Sequence, residues 1–138
     1  MNHLILYIHP NPKRFNHAIL ETWVQALKAS GHEIKVRDLY ALRFNPVLGA
    51  EELQLLNQGK ISSVVKKEQE FVSWADCVTF IFPVWWASLP AIGKGYIDRI
   101  LSEGFAYSFG PEGPKGMLPG KKVCIFSTLG ATEESYSQ

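Results

Sequence analysis

Four short apolar runs punctuate the chain, and between them apolar positions thin to one every three or four residues. Leu4 to Ile8 is an unbroken run, Val78 to Phe82 and Val123 to Phe126 are as dense, and Glu33 to Leu39 alternates through Ile34 and Val36. Dense runs without alternation suit strands covered on both faces, as in a parallel sheet. From Asn16 to Ser30 the residues Ile19, Trp23, Ala26, Leu27 and Ser30 fall at helical spacing, with Asn16 as N-cap and Gly31 just past the end. Residues 3–40 therefore predict a complete β-α-β unit with a right-handed crossover.

The stretch 41–60 has no clean period, although Glu51 to Asn57 could form a short helix. Ser62 to Ala75 is a clearer helix, with Val64, Val65, Phe71, Val72 and Trp74 set among charged residues. Asp76 opens the third strand, and Pro90 stands at the first turn of a helix over Ala91 to Leu101. Residues 104–120 hold five of the 11 glycines and three of the eight prolines, which reads as a long loop. The pattern is an α/β, doubly wound parallel sheet, a single domain over residues 1–138.

In such a sheet, ligands bind beyond the carboxyl ends of the strands. Three segments then matter. His9 to Asn16 joins a strand to a helix start and places Lys13 and Arg14 where free N–H groups and the helix dipole favour an anion. It lacks the glycine patterns of dinucleotide and triphosphate loops, and a plain capped turn is its alternative reading. Pro83 to Leu89 puts Trp85 and Trp86 outside a strand end, where one of them could offer a flat face to a planar ligand or pack on a helix. Ser127 to Tyr136 supplies hydroxyls, a glycine and backbone donors.

Composition narrows the field. The 138 residues are 46% hydrophobic, with 14 Lys+Arg against 13 Asp+Glu and a formal net charge of +1. Near-neutral charge argues against a nucleic-acid partner held by phosphate contacts, and the apolar content argues against disorder. Cys77 and Cys124 sit in apolar runs and read as buried thiols of a reducing compartment. The first apolar run is too short for a signal or a membrane span, so a cytoplasmic protein with no integral membrane segment is expected. His3 reads as a strand edge, His32 as a turn and His17 as a first helical turn; no metal-ligand spacing is present, and no metal is expected.

Several short pieces, in order along the chain, resemble the flavin-dependent NAD(P)H:quinone oxidoreductases of flavodoxin-like fold. They are His9 with Phe15-Asn16-His17-Ala18, Asp38-Leu39-Tyr40, Phe44-Asn45-Pro46, Phe82-Pro83 with Trp86, Pro90-Ala91-Ile92 with Lys94-Gly95, Phe105-Ala106-Tyr107 and Lys115-Gly116. The resemblance implies strand order 2-1-3-4-5 with flavin between the first and third strands. His9, Lys13, Arg14, Phe15 and Asn16 would hold the phosphate region, with Lys13 and Arg14 standing where relatives often carry Ser or Thr. Pro83, Val84, Trp85 and Trp86 would lie along the isoalloxazine ring. Thr128, Leu129, Gly130 and Ala131 would contact its pyrimidine side, and Tyr136 would match the catalytic tyrosine that hydrogen-bonds reduced flavin. Tyr107 and Phe109 would cap a substrate pocket, in the family from a partner subunit, which implies a homodimer.

The implied chemistry is two-electron, ping-pong hydride transfer from NAD(P)H, NADH or NADPH, through flavin to a quinone-like acceptor. The length of Phe44 to Ser62 suggests FAD, with FMN as the alternative. A second implied role is a regulatory or ancillary subunit, for example of a potassium-efflux system. A third is a truncated and inactive form, because the fifth strand of the family sheet has no counterpart before Gln138. The fourth strand would then carry an open edge.

Overall fold

The computed structural model describes residues 1–135 and 137. Its elements are β1 (Asn2–Tyr7), α1 (Phe15–Ala29), β2 (Glu33–Asp38), α2 (Ala50–Asn57), α3 (Ser63–Trp74), β3 (Cys77–Pro83), α4 (Ala91–Ile100), β4 (Tyr107–Gly110), β5 (Gly113–Gly116) and β6 (Lys122–Thr128). A 3₁₀ turn over Glu133–Ser135 follows. The main sheet has order β2-β1-β3-β6, and every pair in it is parallel. This is the α/β doubly wound arrangement that the apolar runs predict, with β6 as the fourth strand of the sequence reading.

The chain alternates across β1, and each face meets a different layer. Leu4, Leu6 and Ile8 join Val65, Val72, Tyr96 and Ile100 of α3 and α4 in one core. Ile5 and Tyr7 join Leu27 of α1 and Ile81 of β3 in the other. A fully buried aliphatic side chain contributes roughly 1.5–3 kcal/mol, so this central strand anchors both layers. His3 lies on the α1 face beside Trp23 and is 3% exposed, which corrects its reading as a strand edge. Among the described residues, no helix is long and apolar enough to cross a membrane.

Local chemistry explains the helix ends. Ser62 Oγ accepts from Val65 N at 3.3 Å and starts α3, and Gly31 at φ 77 ends the turn after α1. The cap of α1 is Arg14, not Asn16, and no side chain bonds it. Pro90 caps α4 from outside the first turn. The stretch 104–120, expected to be a loop, holds the antiparallel β4–β5 hairpin, closed by Gly113 at φ 100. Four-residue strands are too short to show alternation amid so much glycine and proline. Val123 and Ile125 of β6 are 63% and 61% exposed and Cys124 is half-buried, so a dense apolar run means two-sided cover for β1 and β3 but not for β6.

Buried polar side chains tie the helices together. Glu68 of α3 accepts from Arg37 Nε at 3.1 Å and from the Tyr96 hydroxyl at 3.2 Å. Burial, and then the Glu68 charge, push the Tyr96 hydroxyl far above its ordinary range, so it stays a donor. Arg99 of α4 donates to Glu52 at 2.9 Å and to the Asn45 carbonyl at 2.8 Å, pinning the segment between β2 and α3. Gly95 faces that segment: a Cβ there would stand 2.2 Å from the Pro46 carbonyl oxygen. Gly95→Ala is therefore expected to destabilise by about 1–3 kcal/mol through overpacking. Gly110→Ala, which meets open space, should stay within about 0.5 kcal/mol. Urea midpoints compare the two, and an unchanged midpoint for Gly95→Ala would contradict the contact.

Candidate functional site

Strand order reverses direction of growth between β1 and β3, and the loops leaving the carboxyl ends of β1, β3 and β6 meet at that edge. Ile8 N donates to the Ile81 carbonyl at 2.9 Å, holding the first loop against the third strand. His9 Nδ1 then accepts from Asn11 N, and Asn11 Oδ1 accepts from Lys13 N, both at 2.9 Å. These side chains shape the turn and leave the N-terminus of α1 without a side-chain cap. Lys13 and Arg14 are exposed beside it. Unengaged helix N–H groups with two cations form an anion-attracting end. Phe15 is exposed next to them.

Asn16 does other work. It is buried, and its Nδ2 donates to Thr128 Oγ1 at 3.0 Å, across from α1 to the end of β6. Val84 N donates to the Thr128 carbonyl at 2.8 Å. Thr128 thus joins all three loops, one through its side chain and one through its backbone. Leu129, Gly130 and Ala131 continue past it, exposed. Tyr136, the residue expected to be catalytic, lies outside the described residues.

The second loop is a tight turn in which Trp85 and Ser88 exchange backbone hydrogen bonds at 3.0 and 3.1 Å. Its central residues are Trp86 at φ 51 and Ala87 at φ 57. Positive φ at both centres is the type I′ geometry that ordinarily takes Asn-Gly. Each non-glycine residue there costs about 1–2 kcal/mol. Backbone strain of this kind collects at functional sites. The turn holds the Trp86 side chain fully in solvent and leaves Trp85 44% exposed, so two indole faces border the edge. Pro83, by contrast, is a buried end of β3.

Tyr107 and Phe109 pack edge to face at 5.6 Å on the β4–β5 hairpin and are exposed. The Tyr107 carbonyl accepts from Gly104 N, and Met117 N, just past the hairpin, donates to the Ala106 carbonyl; among the described residues no backbone hydrogen bond joins the hairpin to the three loops. Sequence reading missed a cavity of about 440 Å³ beside the first loop, lined by Tyr7, His9, Pro10, Pro12, Asp38 and Tyr40. Among the described residues, the buried Tyr7 hydroxyl has no hydrogen-bond partner. Burial first, and Asp38 second, raise its pKa, so it remains a donor. The signal was available in the end of β2, where Asp38 and Tyr40 leave the sheet at the same edge.

A family model described as flavodoxin-like fold matches residues 1–138. An uncharacterized NAD(P)H oxidoreductase of Haemophilus influenzae is 42% identical over all of the chain and 69% of its own length. The solved NAD(P)H:quinone oxidoreductase of Methanothermobacter marburgensis superposes with a TM-score of 0.90 at 34% identity, over 99% of the chain and 71% of its own. General stress protein 14 of Treponema denticola, solved in complex with FMN, gives 0.64 at 27% identity, over 96% and 64%. The chain spans 69% of the length of the Haemophilus relative and 55% of that of the NAD(P)H dehydrogenase (quinone) 1 of Cavia porcellus.

The Thr128 junction can be tested directly. Thr128→Val leaves the buried Asn16 amide without its acceptor and should cost about 1–3 kcal/mol in urea unfolding. Thr128→Ser keeps the hydroxyl and should retain most of that. Equal losses for both variants would remove the hydrogen bond as the cause.

Proposed function

Because the chain belongs to the family of flavodoxin-like fold, we propose that the crevice at its carboxyl edge holds a flavin and that the protein reduces a quinone-like acceptor with NAD(P)H. The observation that carries this is the convergence of three loops on Thr128 beside an uncapped helix end flanked by Lys13 and Arg14. A bound flavin supplies two-electron hydride transfer between the nicotinamide and the acceptor.

The residues present suit such a group. His9, Lys13, Arg14 and Phe15 would hold its phosphate at the N-terminus of α1, each cation contributing about 0.3–1 kcal/mol, while Asn16 positions that helix end through Thr128. Pro83, Val84, Trp85 and Trp86 would line its ring, with the indole faces excluding water. Thr128, Leu129, Gly130 and Ala131, with the Tyr136 hydroxyl, would direct donors at its pyrimidine edge, as in an oxyanion hole. Donor and acceptor would take the same place in turn, and Tyr107 and Phe109 would close it over a second copy of the chain. The mononucleotide carried by the Treponema neighbour favours FMN. The cavity at Tyr7, Asp38 and Tyr40 would be the place for the remainder of FAD.

Titration of the purified chain with FMN and with FAD, followed by quenching of flavin fluorescence, tests the binding half. The doubled Lys13→Ala, Arg14→Ala variant should weaken Kd by about 3- to 30-fold, the equivalent of about 0.6–2 kcal/mol. Binding of neither flavin would overturn the proposal. Steady-state assay with NADH or NADPH and a benzoquinone then tests the enzymatic half: parallel-line kinetics are expected, and flavin retention without turnover would overturn that half alone.

A further inference from the structure

On the face of the sheet that carries α3 and α4, the turn after β2 and the first half of α3 enclose a cavity of about 410 Å³. Four cations line it, Arg37, Arg43, Lys67 and Arg99, against one carboxylate, Glu68. Arg37 reaches it because it pairs in register with Leu6, whose side chain enters the core on that face. The two inner arginines are already fixed. Arg99 gives its N–H groups to Glu52 and the Asn45 carbonyl. Arg37 gives Nε and Nη2 to Glu68 and lies 4.5 Å above the Phe71 ring, which leaves its Nη1 with no acceptor among the described residues. Glu68 is spent in turn on Arg37 and on the Tyr96 hydroxyl.

The outer two cations are uncompensated. Arg43 and Lys67 are exposed, and among the described residues neither has an acidic partner. Arg43 also carries strain. Its N–H donates to the Tyr40 carbonyl and Phe44 N donates to the Leu39 carbonyl, both at 3.0 Å, with Arg43 itself at φ 49. That double closure is the Schellman turn, whose left-handed position ordinarily goes to glycine or asparagine. An arginine held there is a backbone outlier of the kind that collects at ligand clamps, and its side chain lines the cavity.

We propose that this cavity binds a small organic phosphate monoester, with its phosphate on Arg37 Nη1, Arg43 and Lys67 and its carbon body on Leu42, Phe44 and Val64. Two uncompensated cations match a dianion, and a phosphate monoester carries about −1.5 to −2 near neutral pH where a carboxylate carries one charge. The planar guanidinium offers N–H groups spaced for phosphate oxygens, and the lysine adds a mobile point charge. The volume falls in the range of about 300–1,000 Å³ that holds small ligands. Leu42 and Val64 are large apolar side chains left half in solvent, and Phe44 lies buried beneath them. The α1 helix, with Lys13 and Arg14 at its start, packs on the other face of the sheet through Leu27, so this phosphate site and the flavin crevice stand or fall separately.

Phenyl phosphate titrated into the purified chain, followed through the backbone amide signals by nuclear magnetic resonance, provides the test. Saturable shifts should appear at Arg43, Phe44, Val64 and Lys67, and phenyl phosphate should bind about tenfold more tightly than phenylacetate, which has the ring and half the charge. Arg43→Gly should weaken phenyl phosphate by about tenfold through loss of a charge-assisted hydrogen bond. The same variant should raise the urea midpoint, because glycine relieves the positive φ. A merely structural arginine would move the midpoint and leave the affinity alone. Lys67→Gln, at an exposed helix position, should weaken binding by about 3- to 10-fold and decides the matter if Arg43→Gly folds poorly. Shifts confined to residues 13–16, equal affinity for phenylacetate, or unchanged affinity in either variant would overturn the site.

Discussion

Everything in this molecule hangs from the two-sided parallel pairing of β1. Its residues Asn2 to Tyr7 pair with β2 on one side, and His3 to Tyr7 pair with β3 on the other. Its side chains enter both cores. Parallel pairing fixes direction as well as position, because all carboxyl ends then point to one edge. Loops from distant parts of the sequence meet there without any local signal that they should. Asn16 and Thr128 are 112 positions apart, and a one-residue slip in β6 would turn the Thr128 side chain to the other face of the sheet, away from Asn16 on α1.

Polar satisfaction is distributed unevenly over this frame. On the α3–α4 side, buried polar groups are paired: Glu68 with Arg37 and Tyr96, Arg99 with Glu52, and Gln69 with the Ile100 carbonyl and Ser102. At the edge, among the described residues, a helix end goes uncapped, a tyrosine hydroxyl goes unpartnered and two non-glycine residues, Trp86 and Ala87, hold positive φ. A protein retains such features where something else completes them. Strain and open valence at the crevice are tolerated because the α3–α4 side is closed by networks in which breaking one partner of a buried pair costs several kcal/mol.

The strands and long helices were legible because each carries its own period: Leu4 to Ile8 and Val78 to Phe82 are apolar throughout, and α3 shows both Ser62 as cap and a clear apolar face. The site was legible only as three loops at predicted strand ends. The side chain that joins them was misread, since Asn16 is a good N-cap in isolation and becomes a tertiary donor only when β6 arrives. The Trp86–Ala87 turn was illegible because it lacks the glycine and asparagine that announce positive φ. His3 failed for a related reason: a polar residue at the start of a strand looks marginal until the neighbouring strand and α1 close over it.

One consequence of the exposed flank of β6 concerns behaviour at high concentration. Val123 to Thr128 is a six-residue stretch with no charge, proline or glycine, rich in β-formers, and it is the last strand of the sheet. Such a segment can template further strands from other molecules, growing sheets end to end. Lys121 and Lys122 act as gatekeepers at its entrance, although Lys121 is partly occupied with the Ser73 carbonyl. Among the described residues these two lysines are the charges that flank the segment, and salt screens such exposed charges more than it weakens the buried pairing of β1 and β3.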